Sequence, residues 1–259
     1  MKYNLQHMSW EEVEELRDKS GGVAIVPAGS TEQHGRHLPC GTDAFSAIGI
    51  ANELGKRVGA LVTPPLWFGW SPHHMAYPGT ITLRPEILVE VIVDICKSLV
   101  HHGFKRIVVI NGHRVANLPP LQQGVWRAKT ETGANIMLVD PHYMGYTIAK
   151  ELNIVPIGHA GEFETSHIMY LHPDLVKPEK IVKYDPPADK FHVIDVREPG
   201  DRVTWVPSIP PTGERYEKLR EVSGGVHGDP TNASKEKGKK IHEAVVNNIA
   251  ELIEMIRRE

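Results

Sequence analysis

Four side chains that can bind a metal ion lie close together in VPAGSTEQHGRHLPCGTD, residues 26–43, where an apolar run passes into a helical pattern. They are Glu32, His34, His37 and Asp43. Glu32 and His34 are two positions apart, so in an extended chain their side chains project from the same face. Carboxylate and imidazole groups without a thiolate suit a divalent ion such as zinc, manganese or iron. The stretch therefore indicates a metal site.

A second cluster follows another apolar run. In NGH, residues 111–113, Gly112 permits a sharp turn, so the side chain of His113 can point over the end of that run. The chain contains fifteen histidines, several of them beside glycine and acidic residues in short motifs of this kind. Because neutral imidazole is a common metal ligand, such motifs in loops indicate a site.

A third cluster, GHAGEFETS, spans residues 158–166 and opens a helical pattern. It contains His159, Glu162 and Glu164. Residues two apart on a helix face nearly opposite sides, so both glutamates cannot reach one site. We expect only one of them to be a ligand.

Several of these residues also have an ordinary structural explanation. Asp43 stands where a helix begins and could be its N-cap, a role for which Thr42 competes. His37 could be a partner of a ligand or a surface imidazole, and we leave it out of the ligand set. Cys40 could be a nucleophile, but the chain has no recognisable signature of a cysteine enzyme.

The elements that must position these residues can be predicted from apolar patterns. Short apolar runs bounded by Gly, Pro or Asn predict buried strands at 22–27, 61–68, 106–110 and 135–139. Helical patterns predict helices at 10–19, 43–58, 85–102, 114–130, 160–171 and 234–257. This alternation favours an α/β fold with a mainly parallel sheet covered on both faces. Ligands of such sheets bind outside the carboxyl ends of the strands, where the turns after residues 27 and 110 could meet.

Composition limits the possible partners. The chain has 259 residues, 41% of them hydrophobic, and a formal net charge of −3. This charge gives no basic field for nucleic acid or an anionic membrane, which favours a small-molecule substrate. No segment has the pattern of a signal peptide or a membrane span, so we expect a cytoplasmic protein.

The chain is expected to form a single domain over residues 1–259. The proline-rich segment 185–211 is expected to lie over the site or at a subunit contact, because too little chain follows it for a second core. Cys96 lies in a helical apolar pattern and is predicted to be in the core. The closing helix is predicted to bury a stripe that consists of Ile241, Val245, Ile249, Leu252 and Ile256.

Five segments, in chain order, resemble the motifs of the creatininase (creatinine amidohydrolase) family. They are VPAGSTEQHGRHLPCGTD at 26–43, SPHHMAYPGTITL at 71–83, NGH at 111–113, HAGEFETS at 159–166 and GDPTNASKEKG at 228–238. The resemblance implies a three-layer α/β/α fold and a homohexamer built as a trimer of dimers. It also implies two divalent metal ions per chain, which could be zinc, manganese or iron.

The resemblance also implies a set of ligands, which is Glu32, His34, Asp43, His113 and Glu164. Asp43 would bridge the two ions. Its role as an N-cap then becomes the alternative explanation for this residue. Creatininase has a carboxylate two residues after the NGH histidine, where this chain has Val115. We therefore assign that role to Glu164 and interpret Glu162 as a solvent-facing or first-turn charge that suits the start of a helix.

Further roles follow from the same resemblance. His159 resembles the family's proton-transferring histidine, and His74 and Tyr77 would orient the substrate. The family's asparagine after NGH comes one residue late here, at Asn117. The tryptophans around the substrate of creatininase have no recognisable counterparts; core packing is the simplest explanation for Trp67, Trp70 and Trp205.

The leading functional hypothesis is hydrolysis of a cyclic amide or related C–N bond by a water molecule that two metal ions activate. Two alternatives use the same water. One is hydrolysis of a formamide on a ribosylaminopyrimidine intermediate, and the other opens a C–C bond in a cyclic diketone of inositol breakdown (3-dehydro-scyllo-inosose type). An alternative of another class is a non-catalytic assembly subunit.

Overall fold

The computed structural model describes residues 2–154, 158–184 and 220–258. The proline-rich segment predicted at 185–211, with Trp205, lies outside the described residues. None of the helices in the described ranges has the length and apolar content needed to cross a bilayer.

The centre of the fold is a parallel sheet, as the apolar runs predict. Its strands are β1 (Val23–Ala28), β2 (Leu61–Val62), β3 (Arg106–Asn111) and β4 (Asn135–Val139), in the spatial order β2-β1-β3-β4. Every residue of β1 is buried, as is nearly every residue of β3. These strands are continuously apolar because helices cover both faces of the sheet.

The second predicted strand, at 61–68, is much shorter in the structure. It ends at Val62 because Pro64 and Pro65 follow closely and have no N–H group to donate to a neighbouring strand. The chain returns to the sheet at Leu66, whose N–H donates to Pro27 O at 2.9 Å.

Eight α-helices lie wholly within the described residues. They are α1 (Trp10–Ser20), α2 (Thr42–Val58), α3 (Pro85–His101), α4 (Arg114–Thr132), α5 (Pro141–Met144), α6 (Tyr146–Glu151), α7 (Glu162–Leu171) and α8 (Lys235–Arg258). Six of them begin and end within two residues of the predicted bounds. The short helices α5 and α6 are absent from the prediction because neither is long enough to show an apolar period.

The helices form a layer on each side of the sheet. Alternate strand residues such as Ile25 and Val108 pack with α2 and α8, while Val26 and Val109 pack on the other side with α1, α3 and α4. This alternation follows from the strand period of two. The architecture is the α/β/α sandwich that the resemblance implies.

The predicted core positions are largely confirmed. In α8, Ile241, Val245, Ile249 and Ile256 are buried, whereas Leu252 is only partly buried and Ile253 lies deeper in the core. Cys96 is fully buried, and burial raises the pKa of its thiol to about 12. Trp70 packs against the core, but Trp67 is 41% exposed, so the prediction of core packing is wrong for Trp67.

Candidate metal centre

The predicted site residues meet at the carboxyl ends of the strands. The turn after β1 carries Glu32 and His34, the start of α2 carries Asp43, and the end of β3 leads directly to His113. Glu164 reaches the same place from the first turn of α7. A single edge of the sheet therefore collects side chains from segments that are more than a hundred residues apart.

Asp43 lies at the middle of this group and is 2% exposed. Its Oδ1 is 3.0 Å from His34 Nε2, and its Oδ2 is 3.1 Å from His113 Nδ1. Helix α2 begins at Thr42 with Gly41 as its N-cap, and no side chain caps it. The N-cap alternative for Asp43 is therefore wrong, because its carboxylate faces two imidazoles instead of the helix end.

Glu32 lies on the other side of His113. Its Oε2 is 3.2 Å from His113 Nε2, and its Oε1 is 3.3 Å from His74 Nε2. The hydroxyl of Ser30 donates to the same Oε2 at 3.3 Å. The side chain of Glu32 is fully buried, so its contacts are with these groups and not with bulk water.

Of the two glutamates at the start of α7, only Glu164 turns toward the site. Its Oε2 accepts a hydrogen bond from the N–H of Ala160 at 2.7 Å and lies 3.8 Å from His34 Nε2. Glu162 forms an ion pair with Lys237 of α8. Glu162 is not solvent-facing, because α8 packs over the start of α7 and leaves its side chain 10% exposed, but it is the first-turn charge that the sequence offered as the other interpretation.

The tight packing of the backbone explains the glycines of these motifs. A Cβ atom on Gly112 would lie 2.1 Å from Asp43 O, and one on Gly29 would lie 2.4 Å from Ala44 Cα. The ends of β1 and β3 therefore approach the first turn of α2 more closely than any side chain allows. This approach brings His113 to the carboxylate of Asp43.

Replacing Gly112 with alanine is therefore expected to destroy the metal-binding geometry. The added methyl group must push α2 away from the end of β3 and separate Asp43 from His113, at a cost of about 1–3 kcal/mol in stability. Metal content after dialysis against a divalent metal ion shows the loss of binding. The melting temperature shows the loss of stability. Gly133→Ala is the control for metal content: its Cβ would meet nothing within 4 Å, but its φ of 69° strains an alanine, so it should lose stability and keep the metal. Wild-type metal content in Gly112→Ala would contradict the expectation.

Burial and mutual contact determine the charges in the metal-free site. Burial opposes ionisation of Asp43, but His34 and His113 hold the pKa of its carboxyl well below the usual range. Burial likewise opposes the charge on the imidazoles, but the carboxylates raise the pKa of His34 to about 10 and that of His113 to about 9. Burial raises the pKa of Glu32 to about 7. Protons on two histidines thus offset the buried negative charge.

Among the predicted ligands, three atoms are buried without a hydrogen bond of good geometry: Glu32 Oε1, His34 Nε2 and Asp43 Oδ2. Buried polar atoms normally find a partner, so three unsatisfied ones in contact require an explanation. Four overlapping triads have ligand atoms within 4.8 Å of one another: Glu32–His34–Asp43, Glu32–His73–His113, Glu32–His74–His159 and His34–His159–Glu164. Cations bound among these atoms would satisfy them, so the residues present fit a metal centre.

Gln33 connects two histidines beside this group, His74 and His159. Its Oε1 accepts from the N–H of Gly35 at 2.8 Å, which identifies the amide nitrogen as the atom on the other side. That nitrogen lies 3.0 Å from His74 Nδ1, 2.9 Å from His159 Nε2 and 3.0 Å from Gly225 O. His159 Nε2 is also 2.8 Å from Gln33 O.

The remaining predicted residues lie nearby. Tyr77 is buried, and its ring centroid is 6.3 Å from that of His74. Asn117, although one residue late, joins two loops of the site, since it donates to Gly29 O at 3.0 Å and accepts from the N–H of Trp70 at 2.8 Å.

His37 is not a surface residue, so that alternative is wrong. Its ring is fully buried, and its Nε2 is 2.9 Å from Thr165 Oγ1 on α7. Burial lowers the pKa of His37 to about 4, which keeps the imidazole neutral at pH 7.

The sequence prediction missed three residues. His73, beside the predicted His74, belongs to one of the four triads. Asp140 and His142 follow β4 directly, and His142 Nε2 is 3.4 Å from Glu164 Oε1. The signal that could have found this pair is the one used elsewhere: polar side chains immediately after a buried strand, here in LVDPHY.

Comparison with known proteins supports a metal site in this chain and identifies its family. The model of the creatininase family, described as creatinine amidohydrolase, matches residues 6–253. A creatinine amidohydrolase from Pseudomonas putida is 28% identical, covering 95% of this chain and 94% of its own length. A 3-dehydro-scyllo-inosose hydrolase from Thermotoga maritima is 26% identical (96% and 81%). A mycofactocin precursor peptide peptidase from Mycolicibacterium smegmatis is 28% identical (89% and 84%).

Solved structures agree with the fold. A mutant creatininase of the Zn-Zn type matches with a TM-score of 0.78 and 26% identity, covering 98% of this chain and 97% of its own. A manganese creatininase matches with a TM-score of 0.77 and 26% identity, covering 98% of each chain. The family match spans nearly the whole chain, and the architecture is that of creatininase. The chain is a hydrolase of the creatininase family.

Proposed function

We propose that this hydrolase holds two divalent metal ions and uses an activated water molecule to open a cyclic amide or a related C–N bond. The observation that carries the proposal is the group of three buried, unsatisfied ligand atoms on Glu32, His34 and Asp43. The related structures of the Zn-Zn and manganese types support the same kind of centre. Iron also suits these ligand types.

The proposed ligands divide into two overlapping sets. Glu32, Asp43 and His113 would hold one ion, while His34, Asp43 and Glu164 would hold the other. Asp43 can serve both sets because its two oxygens face different histidines, at 3.0 Å and 3.1 Å. When bound, such a pair of cations lowers the pKa of a water molecule and polarises the carbonyl group that is attacked.

His159 is the proposed proton carrier, and Gln33 determines its tautomer. The amide nitrogen of Gln33 carries two hydrogens. It donates one of them to Gly225 O. If His159 Nε2–H donates to Gln33 O, the second hydrogen goes to His74 Nδ1, and every group has a suitable partner. His159 Nδ1 then keeps its lone pair on the side of Glu32 Oε1, 3.8 Å away. There it can take a proton from the attacking water and deliver it to the leaving nitrogen.

His74 and Tyr77 are proposed to orient the substrate. His74 is held between Gln33 and Glu32, so its ring has a fixed direction. Tyr77 presents a ring beside it. A cyclic substrate bound against these rings would place its carbonyl beside the carboxylate of Glu32.

Identity does not select one substrate, since relatives named for three different reactions are 26% to 28% identical. Formamide hydrolysis and C–C bond opening therefore remain alternatives, to which the peptidase relative adds peptide hydrolysis. The test is a product assay of the metal-loaded enzyme on lactams, formamides, cyclic diketones and short peptides. Turnover of lactams supports the leading hypothesis, turnover of another class replaces it, and no turnover of any class contradicts the substrate range.

Metal binding to the metal-free protein is expected to release protons and to tighten as pH rises. The pKa values of His34 and His113, about 10 and about 9, place a proton on each ring at pH 7. Each protonated histidine must give up one proton to coordinate a cation, so loading both sets should release about two protons from the histidines. Glu32, whose pKa is about 7, adds about half a proton at pH 7. Calorimetric titration with zinc in two buffers of different ionisation enthalpy measures the number. Binding heats that do not depend on the buffer, with equal affinity at pH 6 and pH 8, would contradict this charge state.

The further predictions concern the whole protein. We retain a single domain over residues 1–259, a cytoplasmic location and a homohexamer built from dimers as proposals. Light scattering during size exclusion gives the number of subunits directly. The alternative of a non-catalytic assembly subunit does not fit a hydrolase of the creatininase family.

A further inference from the structure

The imidazole of His142 lies between two carboxylates. Its Nδ1 is 3.4 Å from Asp140 Oδ1, and its Nε2 is 3.4 Å from Glu164 Oε1. The ring is buried and packs against Phe163, with 4.8 Å between ring centroids. His142 and Asp140 belong to neither of the two proposed ligand sets. His142 lies beside Glu164, the carboxylate proposed to bind the second ion.

Helix α5 holds His142 firmly. Asp140 is its N-cap and accepts from the backbone N–H of His142 at 2.9 Å, while Pro141 occupies the first helical position. The guanidinium of Arg114 lies 4.9 Å from the ring centroid of Tyr143, which joins α5 to the start of α4. The side chain of Asp140 therefore fixes the backbone of His142 by a hydrogen bond, and its charge lies 3.4 Å from the ring nitrogen Nδ1 without a hydrogen bond of good geometry.

The other oxygen of Glu164 is fixed as well. Oε2 accepts from the N–H of Ala160 at 2.7 Å. Ala160 is fully buried with a φ of 52°, a conformation that costs energy for a residue with a side chain and that is found where the surroundings impose it. The backbone is thus held so that its amide meets the carboxylate. Ala160 and His142 together leave Glu164 one position, with Oε2 3.8 Å from His34 Nε2.

We propose that His142, oriented by Asp140, is a positioning residue that holds Glu164 in place as a ligand of the second ion. This inference rests on the proposed two-metal function. His142 is absent from the four triads whose ligand atoms lie within 4.8 Å of one another, so it acts through Glu164. A glutamate side chain has several rotatable bonds, and fixing it in advance lowers the cost of binding the ion. Contacts of this kind behind a ligand change metal affinity about 10- to 100-fold.

The test measures metal affinity separately for the two ions. His142→Phe keeps a ring against Phe163 but removes the nitrogen that faces Glu164. His142→Gln restores an N–H donor, and His101→Phe at an exposed position of α3 is the matched control. Each full-length protein is stripped with chelator and titrated with zinc. The melting temperature of the metal-free form shows whether the variant is folded.

The wild type and His101→Phe are expected to bind two ions. His142→Phe is expected to bind the first ion normally and the second about 10- to 100-fold more weakly, and its metal-free form is expected to fold with a lower melting temperature. His142→Gln is expected to recover most of that loss. Wild-type affinity for the second ion in His142→Phe overturns the proposal. So does a loss of affinity for the first ion as large as the loss for the second.

Asp140→Asn keeps the test decisive if His142→Phe does not fold. An asparagine Oδ1 can still accept from the N–H of His142, so α5 keeps its cap while the charge that orients the ring is lost. A smaller selective loss of second-ion affinity is expected, and no loss overturns the proposal. A wild-type protein that takes up no zinc, manganese or iron contradicts the proposed function itself. Wild-type affinity for both ions in every variant contradicts only the role of His142.

Discussion

The Asp43→Asn variant is expected to lose both metal ions and, with them, all hydrolase activity above the metal-free background. Asp43 contacts His34 through one oxygen and His113 through the other, so it is the residue shared by both proposed ligand sets. An asparagine keeps the shape but replaces one oxygen with an amide group that cannot coordinate a cation in the same way. Elemental analysis of the purified variant and its turnover on the best substrate are the measurements.

The control for this variant is Asp174→Asn, which alters an exposed aspartate after α7 and should keep both ions and full activity. The metal-free melting temperature of Asp43→Asn should fall, because the buried carboxylate that pairs with the protonated His34 and His113 is lost. Two ions and wild-type turnover in Asp43→Asn would show that Asp43 is not the bridge.

The His159→Ala variant is expected to lower kcat about 10²- to 10⁴-fold while the protein still binds two ions. The reason is that His159 faces the site with Nδ1 but is held by Gln33, and none of the proposed ligand sets contains it. Steady-state kinetics and elemental analysis on the same preparation separate the two effects. The exposed His101→Ala serves as control for the loss of a histidine.

The structure offers a definite competing result for this variant. His159 belongs to the triad with His34 and Glu164 and to the triad with Glu32 and His74, so its ring can approach either proposed ion. If His159→Ala loses an ion in proportion to its activity, His159 is a ligand instead of the proton carrier. A rise in KM alone, with unchanged kcat, would assign His159 to substrate binding.

The positions of β1 and β3 could be predicted because their signals are local. Apolar runs bounded by Gly and Pro indicate buried strands, and motifs that follow such strands in a parallel sheet must lie at one edge. This reasoning predicts that Glu32, His34 and His113 lie together. The helical period likewise separated Glu162 from Glu164, although it could not decide which of them faces the site.

Other features depend on contacts between segments that are distant in sequence. Lys237 pairs with Glu162 only because α8 crosses the start of α7, and no local pattern announces that crossing. His142 approaches Glu164 because β4 is the neighbour of β3, which requires knowledge of the strand order. Asp43 looked like an N-cap because the same residue type serves both purposes, and only the measured distances to His34 and His113 separate them.

The metal content of the wild-type protein tests the central claim most directly. The protein would be purified without chelator and without a metal-binding tag, and its transition metals would be counted by elemental analysis. The two proposed ligand sets predict about two ions per chain, which also identifies the metal to be used in every substrate assay. A metal-free protein that takes up no zinc, manganese or iron on reconstitution would contradict the two-metal centre and leave these residues with structural roles only.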